Sequence, residues 1–180
     1  MKKIKRVLIS VYHKEGLENL LIELSKKDCE FISTGGTSDY LKKRGLSVTE
    51  VSRLTGFPEI LGGRVKTLHP AIFGGILGRN GNNNDINEMK QHNLNFIDLV
   101  IVDLYPFEET VATGGSAEEI IEKIDIGGIS LIRAAAKNHA QCAIISHKSQ
   151  YQAVADWLSS QNGCLNENQR LHLALRAFAV

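Results

Sequence analysis

The sequence predicts an α/β fold, a three-layer sandwich in which helices flank a mostly parallel sheet of about five strands. Three observations predict it. Short apolar, β-rich runs alternate with stretches of helical periodicity along the chain. One run, inside Asp98–Tyr105, places four apolar residues in succession, the mark of a strand buried on both faces. The 180 residues are 43% hydrophobic and carry no internal repeat or low-complexity linker, which suits a single domain over 1–180.

Arg6–Val11 reads as the first strand. Glu15–Lys27 follows as an amphipathic helix, because Leu17, Leu20, Leu21 and Leu24 share one face, with lysines in its last turn. Cys29–Ser33 is the second strand, Thr37–Gly45 a short helix stopped by Gly45, and Val48–Val51 the third strand. Ile60–Gly75, "ILGGRVKTLHPAIFGG", is expected to be a long loop. It sets four glycines among Arg64, Lys66, Thr67 and His69 and has no clean period. Its apolar Ile60, Leu61, Val65, Leu68, Ile72 and Phe73 argue against pure flexibility. Asn82–Asn93 is a polar turn and helix, and Asp98–Tyr105 the fourth strand. Ser116–Ile124 begins with capping-box spacing between Ser116 and Glu119. Gly127–Asn138 is a helix with one small-residue face, Cys142–Ser146 the fifth strand, and Ser149–Gln161 and Glu167–Val180 two final helices.

Composition excludes several classes. A net charge of +1 lacks the basic excess of a protein that grips nucleic acid through phosphates. No run approaches the about eighteen apolar residues of a membrane helix, and the basic start "MKKIKRVLISV" reads as a strand rather than a signal peptide. Cys29, Cys142 and Cys164 are odd in number and far apart, so neither a disulfide framework nor a metal site is expected. The expected compartment is the cytoplasm.

In a parallel sheet, ligands bind beyond the carboxyl ends of the strands. After the second strand comes "STGGT": Ser33, Thr34, Gly35, Gly36 and Thr37. Its glycines let a phosphate approach the backbone, and the helix start offers free N–H groups and a positive dipole end. The plain alternative is a glycine turn with a threonine cap. After the first strand, Ser10 and Lys14 flank the turn, where Lys14 would add a point charge or lie exposed at a helix start. After the fourth, "DLYPF" puts Asp103 and Tyr105 at the strand exit, and Tyr105 either donates to a ligand or packs on the sheet. "KIDIGG" places Asp125 before a glycine pair and a helix. It is a carboxylate complementing the dipole, or an acid or base beside N–H groups suited to an oxyanion.

Taken together, "STGGT", "GGRVKTLHP", "FGGILGR", "DLYPFEETV", "IEKIDIGG" and "LIRAAAKNH", in this order, resemble the N-terminal cyclohydrolase domain of the AICAR transformylase/IMP cyclohydrolase family. The resemblance runs from Arg6 to the end. It implies a methylglyoxal-synthase-like fold, a homodimer, and closure of formyl-AICAR to inosine monophosphate with no metal or redox cofactor. It implies Lys66, Tyr105, Asp125 and Lys137 as catalytic residues, and Ser10, Lys14, Ser33, Thr34, Gly35, Gly36 and Thr37 at the phosphate end. Arg64 and Thr67 would position the base, with Asp103, Ile126 and Gly127 also at the substrate. The partner is then a small-molecule nucleotide, with neither nucleic acid nor membrane. If Gly127–Asn138 is one straight helix, Lys137 stands roughly 14 Å beyond Gly128. Lys137 then needs a break, a longer relay or a neighbouring subunit.

Three positions depart from the commonest family pattern. Tyr12-His13 stands where Ser-Asp is frequent, Asp103 where asparagine is frequent, and Ile129 where proline often follows the glycine pair. Asp103 exchanges an amide for an acceptor-only carboxylate. The family's transformylase domain is not in the sequence, so a piece of a longer bifunctional protein is expected, with a freestanding cyclohydrolase as the alternative. Two other functions share the phosphate loop: a methylglyoxal-synthase-like phosphosugar lyase, and a regulatory nucleotide-binding module like that of large carbamoyl phosphate synthetases. "GRVKTLHP" and "LYPF" favour the cyclohydrolase.

Overall fold

A computed structural model describes residues 1–180. In chain order its elements are β1 (Lys2–Lys3), β2 (Arg6–Ser10), α1 (Glu18–Ser25), β3 (Glu30–Ser33), α2 (Gly35–Lys42), β4 (Val48–Glu50) and α3 (Val51–Thr55). Then follow α4 (Pro70–Leu77), α5 (Asn83–Gln91), β5 (Leu99–Val102), α6 (Phe107–Ala112), α7 (Ala117–Glu122) and α8 (Ile126–Lys137). The chain closes with β6 (Ala143–Ile145), α9 (Tyr151–Ser160), β7 (Cys164–Leu165) and α10 (Glu167–Ala177).

Five strands pair in parallel in the order β4-β3-β2-β5-β6. The central strands are buried on both faces, and Leu99, Val100, Ile101 and Val102 have almost no exposed surface. The chain leaves β2 toward β3 and β4 on one side, then returns across the sheet to β5 and β6. Right-handed crossovers therefore put helices on both faces. On one face α1 packs on α9, burying Leu20, Leu21 and Leu24 against Val154, Ala155 and Leu158 in a shared core. On the other, α8 packs on α4, α10, β5 and β6. Ala134, Ala135 and Ala136 let α8 approach the sheet closely. The α/β fold with its parallel five-stranded sheet is as expected.

Several boundaries differ from the sequence reading. The expected loop Ile60–Gly75 is loop only in its first part, because Pro70–Leu77 forms α4. His69 caps α4 by accepting the Ala71 N–H at 3.1 Å, and Pro70 supplies a fixed φ at the first turn. The third strand ends at Glu50, and Val51 starts α3. Helix α2 begins at Gly35 rather than Thr37 and ends before Gly45. Helix α1 ends at Ser25, so the expected lysines lie beyond its last turn. The short α6 and a two-residue antiparallel pair between β1 and β7 were not expected. No helix is long and apolar enough to cross a membrane.

Candidate active site

The register pairs Ile9 with Ser33 and Ser10 with Val102, so β2, β3 and β5 end side by side. Two cavities open beyond these ends. The smaller, of about 190 Å³, is bordered by Ser10, Lys14, Thr34, Gly35, Gly36, Thr37 and Asp103. The larger, of about 300 Å³, is bordered by Arg64, Thr67, Ile126 and Gly127, together with Leu68 and Ile124. Ser10, Lys66, Tyr105 and Asp125 border both, so the two are contiguous.

The smaller cavity is built on the start of α2. Thr34, extended at φ −131° and ψ 157°, precedes the helix, and no side chain caps it. The first-turn N–H groups of α2 therefore remain available at the positive end of the helix dipole. Gly35 has φ +46°, in the left-handed region that favours glycine, and a Cβ on Gly36 would meet nothing within 4 Å. Lys14 bends over the turn after β2, its Nζ donating to the Tyr12 carbonyl at 3.0 Å and the Val11 carbonyl at 3.3 Å. Such a set of N–H groups, hydroxyls and an ammonium fits a phosphate.

Two of the expected hydroxyls serve the scaffold. Ser33 is fully buried, its Oγ donates to the Ile9 carbonyl at 2.7 Å, and it does not border the cavity. Thr37 Oγ1 donates to the Val11 carbonyl at 2.9 Å and accepts the Val11 N–H at 3.2 Å, fastening the turn to α2. Its side chain still borders the cavity.

Asp125 is the N-cap of α8, and its Oδ1 accepts the Gly128 N–H at 2.6 Å. Of the N–H groups expected beside Asp125, that of Gly128 is taken by the cap itself. Burial pushes the Asp125 carboxyl above its ordinary range, the Gly128 N–H and Lys66 pull it down, and Asp103 pushes it further up; the net direction is up. A raised carboxyl beside a lysine in a cleft suits proton transfer. Lys66 reaches the cavity from the loop before α4, its Nζ 4.0 Å from Glu59 Oε1. Tyr105 stands edge-on to Tyr12 with centroids 5.5 Å apart.

Arg64 lies at the rim, Nε 3.9 Å from Glu122 Oε1. Thr67 is buried, its Oγ1 so close to Gly127 that a Cβ there would come within 3.1 Å. Lys137 ends the continuous helix α8, is exposed, and borders neither cavity. One chain therefore does not bring it to Asp125. Asp103 faces the turn after β2, accepting the Tyr12 N–H and the His13 N–H.

The sequence reading missed Lys123, which borders the larger cavity with its Nζ 6.0 Å from the Tyr12 ring centroid and 5.9 Å from that of Tyr105. Tyr12, noted in the sequence only as a departure from the family pattern, borders the smaller cavity. Lys123 and Ile124 stand directly before Asp125, so proximity in "KIDIGG" was the available signal.

Residues 16–130 match the family model described as MGS-like domain, and residues 135–180 match that of the AICARFT/IMPCHase bienzyme. The chain is 51% identical over 179 residues to the bifunctional purine biosynthesis protein PurH of Bacteroides thetaiotaomicron, covering 99% of this chain and 35% of that protein. It is 48% identical over 178 residues to PurH of Bartonella bacilliformis, covering 99% of this chain and 33% of that one. The chain thus spans about a third of the length of these curated relatives. It also resembles the crystal structure of ForH, with a TM-score of 0.83 and 32% identity over 97% of this chain and 90% of that chain.

Proposed function

The chain belongs to the MGS-like domain family and is a relative of bifunctional PurH, and from that premise we propose that it is an IMP cyclohydrolase. It would close formyl-AICAR to inosine monophosphate in the cytoplasm, as a homodimer. The observation that carries this reading is the convergence of Lys66, Tyr105 and Asp125, from three separate segments, on the junction of two cavities. One cavity has the donors for a 5′-phosphate. The other has the apolar walls and hydrogen-bonding groups for a planar heterocycle.

The reaction is a dehydration in which the carboxamide nitrogen attacks the neighbouring formamide carbon. The substrate supplies proximity, so the site must select the conformer in which the two groups meet. In this reading Asp125 takes a proton from the carboxamide as the N–C bond forms. The Lys66 ammonium and the Tyr105 hydroxyl face the formyl oxygen and protonate it as its C=O electrons move onto oxygen. Asp125 then passes its proton to the hydroxyl, which leaves as water, and the formamide nitrogen returns its hydrogen to the Lys66–Tyr105 pair as the C=N bond forms. Burial favours this role for Asp125, because a carboxylate that is short of water is a stronger base. Lys137 enters only if a second copy delivers it to the site.

The test is to add formyl-AICAR to the purified chain and follow absorbance and product mass. Loss of one water with formation of IMP supports the reading. Tight IMP binding without turnover overturns it in favour of a nucleotide-binding module.

A further inference from the structure

Asp103 follows β5 at the edge of the smaller cavity, only 9% of the residue being exposed. All its side-chain hydrogen bonds run to one short turn. Oδ1 accepts the Tyr12 N–H. Oδ2 accepts the His13 N–H at 2.9 Å and lies 3.0 Å from His13 Nδ1. A carboxylate only accepts, so Nδ1 carries the hydrogen in this contact, either in the neutral Nδ1–H tautomer or in the imidazolium. The turn held this way is the one from which Lys14 curls back onto the Tyr12 and Val11 carbonyls. It also sets the Tyr12 ring edge-on between His13, at 5.0 Å, and Tyr105, at 5.5 Å.

We propose that Asp103 is a positioning residue that clamps the Tyr12–Lys14 turn, with the His13 ring as its third donor, and so fixes Lys14 and Tyr12 at the rim of the phosphate cavity. This rests on the reading of that cavity as a phosphate site. Asparagine at 103 does not replace the clamp. It offers one acceptor oxygen, and its amide group then faces a backbone N–H that needs an acceptor. At position 13 the requirement is a side-chain donor. Phenylalanine keeps the ring packing on Tyr12 and loses the donor, whereas asparagine loses the ring and keeps a donor.

The test compares His13→Phe, His13→Asn and Asp103→Asn with wild type, by calorimetric titration with IMP and by turnover of formyl-AICAR. A hydrogen bond to a charged group makes the expected loss in IMP affinity about tenfold for His13→Phe and larger for Asp103→Asn, and kcat of His13→Phe changes by less than about threefold. His13→Asn returns to within about threefold of wild type. Equal affinity of His13→Phe and wild type overturns the proposal, as does an affinity of His13→Asn as low as that of His13→Phe. Imidazole nitrogen-15 spectra of the unliganded protein give a readout independent of substrate. They show Nδ1 of His13 protonated if the clamp is present, and unprotonated Nδ1 contradicts it. A wild-type chain that binds no IMP while its His13 Nδ1 is protonated refutes the nucleotide reading and leaves the clamp standing.

Discussion

Replacing Asp125 separates its two roles, because the same carboxylate caps a helix and faces the cavity. Its Oδ1 accepts the Gly128 N–H at 2.6 Å, so Asp125→Ala removes an N-cap and costs about 1 kcal/mol. For a chain of 180 residues that lowers the melting temperature by about 2–4 °C. Asparagine caps about as well as aspartate and carries no buried charge, so Asp125→Asn melts no lower than wild type at neutral pH. It cannot take a proton, so turnover falls by about a hundredfold or more. The two variants then share a loss of activity and differ in stability. The pH dependence gives a further check. The folded-state pKa is raised, chiefly by burial, so the folded protein holds this proton more tightly than the unfolded chain. Below the ordinary carboxylate range the group costs nothing. The cost develops as pH rises through the unfolded and then the raised folded pKa. Wild type should therefore lose stability relative to Asp125→Asn on going from acid to neutral pH. Thermal melts across pH and initial-rate assays measure both quantities. Turnover of Asp125→Asn within about tenfold of wild type refutes the catalytic role, and an unchanged melting temperature of Asp125→Ala refutes the cap.

Other substitutions probe the surrounding parts. A Cβ at Gly128 would overlap the Asp125 carboxylate, so Gly128→Ala should lose the cap, about 1 kcal/mol, and gain about as much helix propensity. Its melting temperature should stay near wild type while the displaced carboxylate lowers turnover by about tenfold or more. A Cβ on Gly36 meets nothing in the protein, so Gly36→Ala should fold normally, and the methyl should occupy phosphate space and weaken IMP binding by about tenfold, measured by calorimetry. Lys66→Ala should keep IMP affinity within about tenfold and lose turnover, since its charge matters most on the developing oxyanion. Turnover near wild type would remove Lys66 from the mechanism.

The fold was legible where burial wrote it into composition. Leu99–Val102 is apolar on both faces and Leu17–Leu24 has one apolar stripe, and both form the expected elements. Helix α4 was hidden because it packs against α3 and α8 and so lacks a polar face, while its two glycines read as loop. His69-Pro70 was the start signal that could have shown it. The five residues of α3 and the two-residue pairing of β1 with β7 are too short for any period to show. At the site, backbone-led features were readable: "STGGT" opens an uncapped helix at a strand end. Side-chain allegiance was not. Nothing in the order of residues tells that the Ser33 hydroxyl turns back to Ile9 while Ser10 borders the cavity. Lys137 was flagged by helical rise alone, and the unbroken α8 keeps it at the far end. Tyr12-His13 and Asp103, noted as separate departures, are one contact, with donor and acceptor chosen to match.

A crystal structure of the chain with IMP tests the central claim most directly. The phosphate should accept from the backbone N–H groups of Gly35, Gly36 and Thr37 and lie beside Lys14, with the six-membered ring facing Lys66, Tyr105 and Asp125. A phosphate bound away from the start of α2, or a base turned from those three side chains, would contradict it.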